Sequence, residues 1–198
     1  FIERAVVSGT FGDKRDIGVQ VTDTKIKWKE VRVEYGVGVF NGTSQSAAEN
    51  NEDKDVAGRL GAEWHGLWAG VNGYSGRQPL GDRSRFGGEL RYVLGNTKLQ
   101  AEYLTGKTER AAKSPARQQG YYVLANYVWK QFRPGLRWES WTPDRDAPGS
   151  RQDAMTTGLD YLLTTDRKNK VSLNFTKRLE GGAAVANDEW TLQAQVSF

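Results

Sequence analysis

The chain has 198 residues, 37% of them hydrophobic and 26% charged, with a formal net charge of +4. It contains no cysteine, which excludes disulfides, thiolate metal sites and a cysteine nucleophile. It has no apolar run of the length a membrane helix needs, and its first residues lack the basic, apolar, small-residue order of a secretory leader; if the protein is exported, its leader is expected to have been removed.

Taken in chain order, the hydrophobic pattern has period two. In "RDIGVQVT" Ile17, Val19 and Val21 share a face. In "VRVEYGVGVF" Val31, Val33, Tyr35, Val37 and Val39 oppose Arg32 and Glu34. "DVAGRLGAEW" sets Val56, Leu60, Ala62 and Trp64 against Arg59 and Glu63, and "LWAGVNGY" sets Leu67, Ala69 and Val71 against Asn72. "FGGELRYVL" aligns Phe86, Leu90 and Tyr92 against Glu89 and Arg91, and "KLQAEYLT" aligns Leu99, Ala101 and Tyr103 against Lys98, Gln100 and Glu102. "YYVLANYV" groups Tyr121, Val123, Ala125 and Tyr127, and "FRPGLRWE" opposes Phe132, Leu136 and Trp138 to Arg133, Arg137 and Glu139. "TGLDYLL", "KVSLNFTKR" and "EWTLQAQVSF" repeat the alternation to the last residue. Such regularity is hard to read as helix and predicts eleven strands of about 8–11 residues, the length that crosses a bilayer at a tilt. Ile26 and Trp28 fall out of step with Val31, which marks residues 24–29 as a bulge or turn extension.

Connections alternate in length. The short ones are "TDTK", "HG", "GN", "WKQ" and "TDRKN"; the long ones include "GTSQSAAENNEDKD", "GRQPLGDRSR", "GKTERAAKSPARQQ", "TPDRDAPGSRQD" and "LEGGAAVAND". Short turns at one end and long loops at the other are the pattern of an outer-membrane barrel. The apolar face carries aromatics near strand ends (Trp64, Phe86, Tyr103, Tyr121, Tyr127, Phe132, Trp190 and Phe198), as an interfacial girdle requires. The opposite face is charged, and a packed soluble core would have to desolvate every one of those charges. The predicted fold class is therefore all-β: a transmembrane antiparallel up-and-down β-barrel with its charged face around a water-filled lumen. A soluble β-sandwich that stacks sugars on its aromatics, and a barrel serving as scaffold in a larger complex, are the alternatives. Barrels start and end on the short-turn side with an even strand number. Eleven strands therefore imply an odd number of further strands upstream, unless residues 1–8 close a smaller barrel themselves.

"FIERA" with "GDKRDIGVQV", "YGVGVFNG" and "DKDVAGRLG", followed by "LQAEYLTG", "GYYVLANY" and the terminal "LQAQVSF", resembles the phosphate-selective porin O and P family over nearly the whole chain. "RDIGV" and "GVFNG" carry most of the specificity. The resemblance implies a sixteen-stranded barrel in a homotrimer, with residues 1–14 an extracellular loop folded into the lumen as a constriction and residues 15–198 the barrel strands. It implies anion-facing roles for Arg4, Lys14 and Arg15, and an assembly signal at Phe198.

The inward cations Arg32, Arg59, Arg91, Lys98, Arg133 and Arg137 alternate with Glu34, Glu63, Glu89, Glu102, Glu139 and Asp160. They read either as an anion path or as cross-strand ion pairs that stiffen the wall. The mixture argues against strong phosphate selectivity. His65, the only histidine, sits in a two-residue turn without partners for a metal or a triad, and "SAAENNEDKD" lacks spaced calcium-ligand positions. No enzymatic activity, cofactor, metal or nucleic-acid partner is expected. The expected surroundings are the bacterial outer membrane with its lipid and lipopolysaccharide, the basic "RSR" and "TERAAKSPAR" facing the latter from outer loops, and the expected solutes are small anions.

Overall fold

A computed structural model describes residues 5, 6, 8, 9, 16–43, 52–78, 81–110, 113–164, 169–179 and 187–197. The strands are β1 (Gly18–Trp28), β2 (Val31–Phe40), β3 (Asp55–Trp64), β4 (Leu67–Gln78), β5 (Gly81–Leu94), β6 (Thr97–Arg110), β7 (Lys113–Tyr127), β8 (Phe132–Thr142), β9 (Gln152–Leu162), β10 (Lys170–Leu179) and β11 (Glu189–Gln195). They form one antiparallel sheet in strict chain order, each strand paired with its sequence neighbours. A sandwich needs two facing sheets, and the described residues form one; the soluble sandwich reading is thereby set aside.

The alternation sets the register. Val33, Ala62, Ala69, Leu90, Ala101, Val123 and Trp138 follow one another across β2–β8 as direct partners. The step at Ile26 is a bulge: the β1–β2 register shifts between Asp23 and Ile26 and brings Ile26 opposite Val33 and Trp28 opposite Val31. One inserted residue thus restores the apolar face, β1 runs through "TDTK", and the turn falls at Lys29–Glu30. His65 and Gly66 form a two-residue turn with φ of 47° and 82°, as a hairpin of type I′ demands.

The two faces differ in exposure in the sense opposite to a soluble protein. Apolar side chains are open, as with Val19 at 77%, Leu192 at 72% and Trp190 at 68%. Polar ones are covered: Ser172 at 0%, Asn174 at 3%, Arg137 and Asp160 at 4%. A flat single-layer sheet would expose both faces alike, so the sheet curls with its polar face inside. Trp28, Trp64, Tyr127, Trp129 and Phe132 are exposed at the short-turn end, and Phe86, Tyr103, Tyr121 and Trp190 towards the other. Seven of the eight predicted girdle aromatics are thus partly exposed on the outer face; Phe198 lies outside the described residues.

Several strands outrun the sequence reading. β5 and β6 have 14 residues and β7 has 15, so "GRQPLGDRSR" and the "TERAAKSPAR" segment are largely strand rather than loop. Fourteen residues at ~3.3 Å each and ~40° of tilt rise about 35 Å, beyond an apolar band of ~25 Å. These hairpins therefore stand clear of the lipid, where neither face is required to be apolar.

Candidate functional site

The inner wall is built from alternate residues of every strand. Arg32, Arg59, Arg91, Lys98, Arg133 and Arg137 all take the inward register, and so do Glu34, Glu63, Glu89, Glu102, Glu139 and Asp160. Arg4, Lys14, Arg15 and Phe198 lie outside the described residues.

Four of the six inward cations are paired. Arg32 bonds Glu63 and Arg59 bonds Glu34 across β2–β3. Arg133 engages Asp160 through Nε at 2.9 Å and also through Nη2, with Lys170 Nζ 3.6 Å from the same carboxylate. Arg137 donates to Glu139 at 3.2 Å and is 4% exposed. A neutral pair presents the lumen with a dipole, not a net charge. Arg91 and Lys98 make no ion pair among the described residues. Arg91 lies against the Trp68 ring, 5.0 Å from its centroid, and Lys98 lines a pocket with Arg133, Lys170, Asn126 and Asn174. These two cations stand at the short-turn half of the wall without a direct carboxylate contact, with Glu89 and Glu102 on the same face of β5 and β6.

Sequence reading missed the upper half. Arg83 and Arg85 belong to β5, opposite Gly76 and Tyr74, not to an outer loop. With Arg59, Asn72, Asp16 and Asp55 they line a cavity of about 380 Å³ on the inner face. Tyr74 donates its hydroxyl proton to Asp55, and Arg85 stacks 5.6 Å from the Tyr74 ring centroid. The signal was present in the phase of β5, since Arg83 and Arg85 continue the series Gly87, Glu89, Arg91. Charge at both ends of "GDRSR" hid it.

Apolar residues also face inward. Leu104, Tyr122 and Trp141 form a buried cluster with Ala5. Val6 N donates to Glu139 Oε2 at 2.8 Å and Ser8 Oγ to Glu102 Oε2 at 2.7 Å. Gly9 N bonds Ala5 O at 3.0 Å, closing a helical turn. These contacts lay residues 5, 6 and 8 against the inner faces of β6–β8, with one hydrogen bond to each of two wall carboxylates. His65 bonds Glu30 at 2.9 Å in an exposed turn pair, and the described residues hold no cluster of metal-ligating side chains.

A wall that is apolar outside and charged within separates lipid from water and offers hydrated solutes a path between them. Comparison with known proteins agrees with that architecture. A porin structure refined at 1.8 Å matches with a TM-score of 0.63 at 10% identity, covering 97% of this chain and 73% of that one. OmpT with its loop L8 deleted, an outer membrane protein of Vibrio cholerae, matches with a TM-score of 0.62 at 14% identity, covering 90% of this chain and 62% of that one. No curated protein matches in sequence. The fold is thus that of an outer-membrane barrel, its location is the bacterial outer membrane, and the Gram-negative porin family model matches residues 5–198. The chain belongs to the Gram-negative porin family.

Proposed function

We propose that this porin passes small hydrophilic solutes by passive diffusion and prefers anions, phosphate among them, without doing chemistry on them. The observation that carries the anion preference is the imbalance of pairing on the inner wall. Arg32, Arg59, Arg133 and Arg137 are ion-paired with carboxylates, whereas Arg91 and Lys98 make no ion pair among the described residues. Arg83 and Arg85 lie on the same wall beside Asp16 and Asp55, and Lys170 shares Asp160 with Arg133, two cations to one carboxylate. The carboxylates Glu89 and Glu102 stand opposite one another and temper the field, so the preference is weak. The finer resemblance to phosphate-selective O and P porins, carried by "RDIGV" and "GVFNG", is consistent with an anion path of this kind.

In the same reading residues 1–14 form the constriction, anchored through Val6 and Ser8, and Arg4, Lys14 and Arg15 face the passing anion. The barrel assembles as a homotrimer. Lys107 and Arg117, opposite one another near the far end of β6 and β7, meet lipopolysaccharide phosphate above the girdle. The test is a planar bilayer under a potassium chloride gradient. Ohmic steps with a reversal potential on the anion side support the reading; a cation-side reversal potential refutes the preference, and absence of conductance refutes the pore.

A further inference from the structure

Trp68, like Tyr74, Tyr122 and Trp141, faces the lumen rather than lipid. Leu67 and Ala69 fix its phase, so it points into the lumen, opposite Glu63 on β3 and Arg91 on β5. It is only 7% exposed. Its indole lies flat along the wall over two glycines: a Cβ on Gly61 would stand 2.6 Å from Cζ2, and one on Gly70 would collide with Cη2. Gly61 and Gly70 are themselves direct partners across β3–β4. The sequence thus clears a bed of two glycines for this one ring. The indole Nε1 has no hydrogen-bond partner among the described residues, so packing and the groups stacked on the ring hold it.

Those groups are cations. The Arg91 guanidinium carbon lies 5.0 Å from the ring centroid and that of Arg59 lies 5.9 Å away. Arg59 is also tethered to Glu34. Arg91 makes no ion pair among the described residues; its contact with the wall is the Trp68 face, and Glu89, two residues before it on the same face of β5, adds a longer-range attraction. A guanidinium on a long, rotamer-rich stem otherwise sweeps the lumen.

We infer that Trp68 is a positioning residue for conduction: it stacks Arg91, and secondarily Arg59, against the wall, so that their charge acts on passing ions while the side chains stay out of the path. The inference rests on the pore reading. A stacking contact of this exposure favours the wall-bound state about two- to fivefold over the free one. Losing it converts a fixed charge into an intermittent obstruction.

The experiment is single-channel recording of the whole protein in planar bilayers, with heat-modifiable gel mobility as the check on assembly. Trp68→Leu is expected to raise open-channel current noise at least about twofold and to lower the mean conductance. Trp68→Phe, which keeps an aromatic face, is expected to stay near the unsubstituted channel. Adding Arg91→Gln to Trp68→Leu is expected to remove the excess noise, an effect that a merely structural role for Trp68 would not produce. Gly61→Ala offers an independent route, because it displaces the ring while leaving the ring and both arginines present. It is expected to give the same noise and decides the matter if Trp68→Leu does not assemble. A quiet, assembled Trp68→Leu channel, or excess noise that survives Arg91→Gln, overturns the role of Trp68 alone. Absence of conductance in the unsubstituted protein overturns the pore reading and this inference with it.

Discussion

Replacing Arg91 and Lys98 together by glutamine removes two positive charges that form no ion pair among the described residues, although Glu89 lies on the same wall. An ion passing about 6 Å from a unit charge in water gains or loses about 0.7 kcal/mol. Screening at 0.15 M salt reduces this by about half. The sign reverses between anion and cation, so one charge shifts the anion-to-cation permeability ratio about threefold and two shift it close to tenfold. The assay is the reversal potential across a planar bilayer under a salt gradient. The informative control is Arg32→Gln with Glu63→Gln, which deletes a bonded pair of zero net charge and should leave the ratio nearly unchanged. The effect of the first variant should also shrink as salt rises, because the Debye length shortens. Equal effects of the two double variants, or an unchanged ratio in Arg91→Gln/Lys98→Gln, would refute the argument that unpaired charge sets selectivity.

The two faces of the wall carry opposite expectations for a new charge. Leu90 is 53% exposed on the lipid face, between Phe86 and Tyr92 on its own strand; Leu90→Arg should destabilise the inserted barrel by about 2–4 kcal/mol, measured by urea unfolding in lipid vesicles, whereas Gln100→Arg on the inner face should be tolerated. Val6 and Ser8 are fastened to Glu139 and Glu102, so Glu102→Gln with Glu139→Gln should weaken both charge-assisted bonds and raise single-channel conductance; a lowered or unchanged conductance would speak against this anchoring. Deleting Phe198 should reduce the amount of heat-modifiable protein in the outer membrane far more than it alters the conductance of the protein that does insert.

The strands were legible because a bilayer imposes the strictest possible alternation: one face meets hydrocarbon and the other water. Val33, Ala62, Ala69 and Leu90 are registered neighbours that could be aligned by eye from four separate stretches of sequence. The same physics explains the misses. Past the lipid boundary both faces are wet, the alternation lapses, and "GDRSR" and "TERAAKSPAR" read as loop although their backbones continue the ladder. Pairing was legible only as a choice between free path and bonded wall. Which cations were neutralised depended on register, since Arg32 finds Glu63 on the next strand while Arg91 faces Gln100 and Trp68. The inward Trp68 was implied by the phase of Leu67 and Ala69, but its glycine bed is a cross-strand feature, visible only once Gly61 and Gly70 are known to be partners. Leu104, Tyr122 and Trp141 were hidden likewise, because their reason for facing inward is Ala5, a hundred residues or so away in sequence.

The central claim is that the polar face lines water and the apolar face meets lipid. The chain has no cysteine, so single-cysteine variants report without background. Gln100→Cys and Ala101→Cys are sequence neighbours on β6, with inward and outward registers respectively. In reconstituted channels, a charged water-soluble thiol reagent should label Gln100→Cys quickly and step down its conductance, while leaving Ala101→Cys unmodified. Rapid labelling of Ala101→Cys with protection of Gln100→Cys, or equal labelling of both, would contradict the account.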